Sequence, residues 1–171
     1  RLLILGRRMD CIAIIPARFT STRFPGKLLA SLAGRPLIRH VVESVSRVEG
    51  IDATIVATDD ERIGEAARES GVDVVLSGGE FASGTDRVAD AASRYSAEII
   101  VNVQGDELLL DSAAVAGALD CFRDSATELG TLRAPLKERR DLWDPNAVKV
   151  VIDDNERALY FSRAAVPFPR S

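Results

Sequence analysis

Four apolar runs of strand length, CIAIIP (11–16), ATIVAT (53–58), VDVVLS (72–77) and EIIVNV (98–103), recur along the chain with stretches of helical period between them. Strands this apolar on both faces, each followed by a helix, predict a parallel sheet buried between helix layers. In RPLIRHVVESVSRV (35–48), Leu37, Ile38, Val41, Val42, Val45 and Val48 fall on one helical face. TDDERIGEAARESG opens with a Thr-x-x-Glu capping pattern at Thr58 and Glu61 and closes on Gly71. A third helix is expected over Ser83 to Ser96, entered through SGTD, and Asp111 is placed to cap a fourth running to about Phe122.

Beyond Thr127 the period changes. TELGTLRAPL, NAVKVVID and RALYFSR read as strands joined by short polar turns, which predicts an antiparallel or mixed extension on the sheet. No repeat, low-complexity tract or linker interrupts the pattern, so the expectation is a single α/β domain spanning 1–171. A chain of 171 residues is long enough to bury roughly two-thirds of its unfolded surface.

Composition removes several function classes. Hydrophobic residues at 46% and charged residues at 28% argue against disorder, and no apolar run approaches the roughly 20 residues of a membrane span. The opening RLLILGRRMD has only a very short apolar stretch and no cleavage site of a secretory signal, and residues 1–8 read as an upstream extension or a mis-assigned start before Met9, the sole methionine. Cys11 and Cys121 have no CxxC partner, which suits buried thiols in a reducing cytoplasm. A net charge of −4 offers no sequence-wide footprint for a nucleic-acid polymer. Local cations must therefore draw in any anionic ligand.

Such cations collect after the first strand. In IIPARFTSTRFPGK, Arg18, Arg23 and Lys27 fall within ten positions, Pro16 and Pro25 stiffen the loop, and Gly26 permits close backbone approach. Arg18 and Lys27 with backbone N–H groups suit a polyphosphate; a solvated basic loop is the other reading. Walker and GxGxxG spacings are both missing. The fourth strand ends in QGDE (104–107), where Asp106 suits a hard cation such as Mg²⁺ or serves a turn. SGTDR (83–87) is either a helix entrance or a hydroxyl-lined ligand contact. Ligands of open parallel sheets lie beyond the carboxyl ends of the strands, so these loops are expected to face one crevice. His40, the single histidine, is expected on an exposed helix surface beside Glu43 and Arg47, and Trp143 as a packing residue near a turn.

IPARFTSTRFPGK, ATDDERI, SGTDR, VNVQGDE, PNAVKVV and ALYFSRAAVPF, in this order and spacing, resemble the 3-deoxy-manno-octulosonate (Kdo) cytidylyltransferases. The resemblance covers nearly all of the chain and implies a Rossmann-like nucleotidyltransferase fold. It implies transfer of CMP from CTP to Kdo with release of pyrophosphate, Mg²⁺ dependence, and a cytoplasmic step in lipopolysaccharide synthesis, usually by a homodimer. By motif, Arg18 and Lys27 match the family's triphosphate-binding and catalytic cations. Asp106 matches the metal aspartate, and Gln104 the nucleotide-contacting glutamine. Pro16 and Ala17 belong to the first nucleotide-binding block. Ser83, Thr85 and Arg87 match the block lining the nucleotide and sugar pockets, the first two on the nucleotide side, and Arg163 matches an arginine near the sugar acid.

Two departures qualify the match. Leu108 stands where the family has proline, and the chain stops at Ser171, short of a family segment that supplies Kdo contacts, dimer surface and a second metal carboxylate. The expectation is a fragment of a longer product, or a truncation that binds CTP without turnover. A CMP-sialate-type synthetase is the neighbouring alternative.

Overall fold

The computed structural model describes residues 9–20, 24–79, 81–122 and 127–168. The extension at 1–8 and the cation Arg23 lie outside the described residues. Four strands, β1 (Met9–Ala17), β4 (Ala53–Thr58), β5 (Asp73–Leu76) and β6 (Ala97–Asn102), form a parallel sheet in the order β5-β4-β1-β6. Four helices, α1 (Leu37–Val45), α2 (Glu61–Arg68), α3 (Gly84–Ala92) and α4 (Ser112–Asp120), accompany it. Between β1 and α1 lies a small hairpin of β2 (Ser31–Leu32) and β3 (Arg35–Pro36), turned at Gly34 with φ +82°.

The alternation of side chains along β1 explains the layering. Ala13, Ile15 and Ala17 pack with Leu37, Ile38, Val41, Val42 and Val45 of α1 and with Ile63 and Ala67 of α2. Ile12 and Ile14 point the other way and pack with Val88 and Ala91 of α3. The two-sided burial read from the apolar runs therefore holds for β1, as does the apolar face of α1, with Val48 also buried.

Sequence and structure differ at several points, each with a local cause. The second helix is capped by Asp60, whose carboxylate accepts from Arg62 N–H, and not by the Thr58–Glu61 box. Thr58 is the last residue of β4, fully buried and held in the ladder by Ser77 N–H donating to its carbonyl, so the helix begins two residues later. Strand β6 is not buried throughout: Glu98, Ile100 and Asn102, every second residue, are exposed, so one face of this outer strand is left uncovered among the described residues. Segment 127–136 forms no strand; its backbone finds no ladder partner and Leu129, Leu132 and Leu136 are exposed.

The last two strands, β7 (Lys149–Ile152) and β8 (Ala158–Ser162), pair antiparallel as a separate two-stranded sheet instead of extending the parallel one. They belong to the second of two compact units, which divide between Gly130 and Thr131. Within that unit the buried Lys149 ammonium donates to the carbonyls of Asp144 and Arg163. Trp143 is exposed after a short 3₁₀ turn and packs into no core, and Cys121 is exposed where a buried thiol was expected. His40 is half-buried rather than free on the surface; its Nε2 meets the Leu32 carbonyl at 2.8 Å and ties the β2–β3 hairpin to α1. Among the described residues no helix is long and apolar enough to cross a membrane.

Burial, then the nearby Asp52 carboxylate, pushes the Cys11 thiol up to about 11. At neutral pH Cys11 is therefore a protonated, inert thiol. Labelling with an aromatic disulfide reagent should modify Cys121 within minutes and Cys11 only on unfolding; rapid double labelling of the native protein would contradict this packing. A second expectation concerns Asp60, whose carboxyl is held below its ordinary value chiefly by the Arg62 hydrogen bond. A depressed folded value stabilises above the ordinary carboxylate range and is lost as pH falls through it. Asp60→Ala should lower stability by about 1 kcal/mol near neutral pH. In chemical denaturation that difference should shrink in acid, and one that grows there would refute the cap.

Candidate functional site

Strands β1 and β6 are neighbours, with Ile14 opposite Asn102 and Val103 N–H donating to the Ile14 carbonyl. The residues that follow each strand therefore leave the sheet side by side. From β1 come Pro16, Ala17 and Arg18; from β6 come Gln104, Gly105 and Asp106. Gly105 is buried so tightly that a Cβ there would stand 3.0 Å from the Pro16 carbonyl oxygen and 3.3 Å from Leu28 Cδ1. Only glycine lets the two exits approach this closely.

The basic loop closes on itself. Gly26 N–H donates to the Phe19 carbonyl at 2.9 Å, with Gly26 at φ +70°, and an added Cβ would strike the Phe19 ring at 2.9 Å. Arg62 of α2 lies over that ring, 4.0 Å from its centroid, while its guanidinium pairs with Asp60. A 3₁₀ turn, Lys27–Leu29, follows and buries Leu28. Anchoring Leu28 against Gly105 delivers its neighbour Lys27 to the neighbour of Gly105: Lys27 Nζ donates to Asp106 Oδ2 at 2.7 Å. Both side chains remain accessible, at 40% and 55% exposure.

Helix α3 supplies the third wall. Ser83 caps it, accepting from Asp86 N–H, while the Asp86 carboxylate accepts from Ser83 N–H. A Cβ on Gly84 would meet Pro16 Cγ at 3.5 Å and Gln104 Oε1 at 3.9 Å, so the helix N-terminus abuts both strand exits. Together, Pro16, Ala17 and Arg18 from β1, Phe81, Ser83, Gly84 and Arg87 from the α3 entrance, and Gln104 from β6 line a cavity of about 100 Å³. This is below the ~300–1,000 Å³ of a typical small-molecule pocket.

The sequence candidates divide accordingly. Arg18 is exposed at the cavity edge and has no hydrogen-bond or ion-pair partner among the described residues. Ser83 is both cap and wall. Thr85 is exposed on the first turn of α3 and does not line the cavity. Arg163 belongs to the second unit, where its guanidinium donates to the Pro145 carbonyl at 2.7 Å. Arg87 is 6% exposed and donates to Asp59 and Ser77. Sequence reasoning missed Asp59, Ser77, Phe81 and Gly84. The rule that ligands gather past strand ends would have flagged Asp59 and Ser77, which directly follow β4 and β5.

Whether Mg²⁺ suits this donor set follows from its coordination habits. No group of three or more His, Cys, Asp or Glu among the described residues is arranged to hold a metal. Mg²⁺ needs no such cage, since one or two carboxylates with phosphate oxygens and water complete its shell. The accessible Asp106 carboxylate, beside cations suited to phosphate, fits that mode.

Comparison with known proteins agrees with the geometry. The family model described as Cytidylyltransferase matches residues 12–171. A 3-deoxy-manno-octulosonate cytidylyltransferase of Geobacter sulfurreducens is 48% identical over 163 residues, covering 95% of this chain and 65% of the relative. An 8-amino-3,8-dideoxy-manno-octulosonate cytidylyltransferase of Shewanella amazonensis is 42% identical, covering 95% of this chain and 68% of the relative. A solved CMP:2-keto-3-deoxy-manno-octonic acid synthetase complexed with CTP superposes with a TM-score of 0.84 at 34% identity, covering 94% of this chain and 67% of that one. The chain thus spans about 65% of the length of the Geobacter relative. With a family match across 12–171 and close relatives along nearly its whole length, the chain belongs to the cytidylyltransferase family.

Proposed function

We propose that this chain carries the CTP site of a 3-deoxy-manno-octulosonate cytidylyltransferase, joining CMP from CTP to the anomeric hydroxyl of Kdo and releasing pyrophosphate. The observation that carries the reading is the Lys27–Asp106 pair at 2.7 Å, beside the cavity edged by Arg18 and Gln104. It puts two phosphate-seeking cations and one metal-seeking carboxylate at a single end of the sheet. Relatives bearing this name, and a CTP-bound neighbour, support the same assignment.

The chemistry asks for positioned charge. The Kdo hydroxyl oxygen loses its proton to water and forms a bond to the α-phosphorus as the bond to the pyrophosphate oxygen breaks, and negative charge gathers on non-bridging and leaving oxygens. Arg18 and Lys27 hold the triphosphate and neutralise the departing pyrophosphate. The Ser83–Gly84 helix entrance, Pro16, Ala17 and Gln104 orient the nucleoside end, whereas Thr85, outside the cavity lining, has no part in that wall. Lys27 must exchange Asp106 for phosphate as CTP arrives. An accessible ion pair contributes only about 0–1 kcal/mol, so the exchange costs little. Asp106 would hold Mg²⁺, which when bound would supply Lewis-acid stabilisation of phosphate charge. A cytoplasmic, lipopolysaccharide-directed role and a homodimer complete the proposal.

The acceptor has a second candidate, because the Shewanella relative is named for the 8-amino-3,8-dideoxy sugar. Turnover with CTP and each of Kdo, its 8-amino analogue and sialic acid should be fastest with Kdo; sialic acid in first place would replace the reading. CTP binding without pyrophosphate release under all three would favour a binding module instead.

Two measurements test the phosphate end. Lys27→Ala should lower kcat by roughly 10²–10³ with the circular-dichroism spectrum and melting temperature retained; near-normal turnover would remove Lys27 from the mechanism. Titration calorimetry of CTP should show tighter binding with Mg²⁺ than without, a difference that Asp106→Asn abolishes. Equal Mg²⁺ enhancement in the variant would move the ion elsewhere.

A further inference from the structure

Arg87 is a cation enclosed by the fold. Its side chain is 6% exposed, and a guanidinium does not shed its proton in a protein, so burial demands an anion. Asp59 provides it: Arg87 Nη2 donates to Asp59 Oδ2 at 2.6 Å. Nη1 donates to Ser77 Oγ at 3.3 Å, and the guanidinium carbon lies 5.0 Å from the centroid of the Phe81 ring.

The partners come from rigid places. Asp59 directly follows β4 and Ser77 directly follows β5, and Ser77 N–H donates to the Thr58 carbonyl, so both are fixed by the parallel ladder. Arg87 is the fourth residue of α3, one turn past the Ser83 cap. Its two hydrogen bonds therefore fasten the first turn of α3 to the ends of two strands. That same turn, with Phe81 just before it, forms the cavity wall facing Pro16 and Gln104. Asp59 and Ser77 do not line the cavity themselves.

We propose that Asp59 is a positioning residue for nucleotide binding: by holding the Arg87 guanidinium, it sets Phe81 and the entrance of α3 at the spacing from Pro16 and Gln104 that the nucleoside end of CTP requires. The inference rests on the reading that this cavity takes CTP. Without the carboxylate, the guanidinium is left buried and unpaired, and regains water only by moving, which carries the first turn of α3 and Phe81 with it.

The test uses this chain with CTP, Mg²⁺ and Kdo, and reads the Kd for CTP by titration calorimetry in place of KM if the chain binds CTP without turnover. Asp59→Asn should raise the KM for CTP about tenfold while kcat changes by no more than about threefold, because a charged hydrogen bond is lost away from the reacting atoms. Ser77→Ala, which removes only the longer bond, should raise the same KM by about two- to threefold. Asp59→Glu, which keeps a carboxylate, should recover much of the loss. An unchanged CTP KM in Asp59→Asn with a lowered melting temperature would overturn the proposal and leave the pair a stabilising contact alone. Should Asp59→Asn fail to fold, unchanged CTP KM in both Ser77→Ala and Asp59→Glu would overturn it equally. An unaltered protein that binds no CTP would overturn the nucleotide reading and this proposal together.

Discussion

In the parallel pairing of β1 with β6, Ile14 stands opposite Asn102, and this register sets where the candidate side chains after those two strands go. It is held from both faces. Ile12 and Ile14 are packed against α3, whereas Ala13 and Ile15 are packed against α1 and α2. A one-residue slip would turn each set toward the wrong layer, so the hydrophobic core fixes the register far more firmly than the ladder alone. The strand exits inherit that certainty. Gly105 against the Pro16 carbonyl and Leu28 converts it into a meeting of Lys27 and Asp106.

Two cation–carboxylate pairs near the cavity show how burial divides one chemistry into two jobs. The Lys27–Asp106 pair is open to water and holds its partners loosely. It is suited to being replaced by phosphate and a divalent ion. The Arg87–Asp59 pair is enclosed on the arginine side, where breaking one partner strands a charge. That pair is suited to holding a wall. Helix α3 connects them: its cap lies beside Gln104, and Arg87 is one turn further on.

Much of this was legible in the residues. The apolar run of β1, the face of α1 and the Asp111 cap follow from local period and side-chain chemistry, and α4 is indeed entered with Asp111 accepting from Ala113 and Ala114. That the loops after β1 and β6 would meet followed from topology alone. What escaped depended on the third dimension. Thr58 looks like a cap until the ladder claims its backbone. Segment 127–136 has strand-like composition, but a strand exists only where another offers hydrogen bonds. The role of Asp59 was hidden because its partner lies 28 positions away on another element, a separation that carries no local signature.

Charge distribution gives the site its selectivity of place. The chain is acidic overall, at −4, so its net charge does not favour a polyanion. At physiological salt that effect fades beyond about 8 Å, and what an approaching phosphate feels is the nearest few groups. At the cavity edge those groups are Arg18 and the N-terminal N–H groups of α3, with the Asp86 carboxylate engaged by Ser83, while Lys27 is paired with Asp106. Arg18 and Lys27 directly flank the Gly26–Phe19 hydrogen bond, so the closure that joins those two backbones also brings the two cations out of the loop as neighbours.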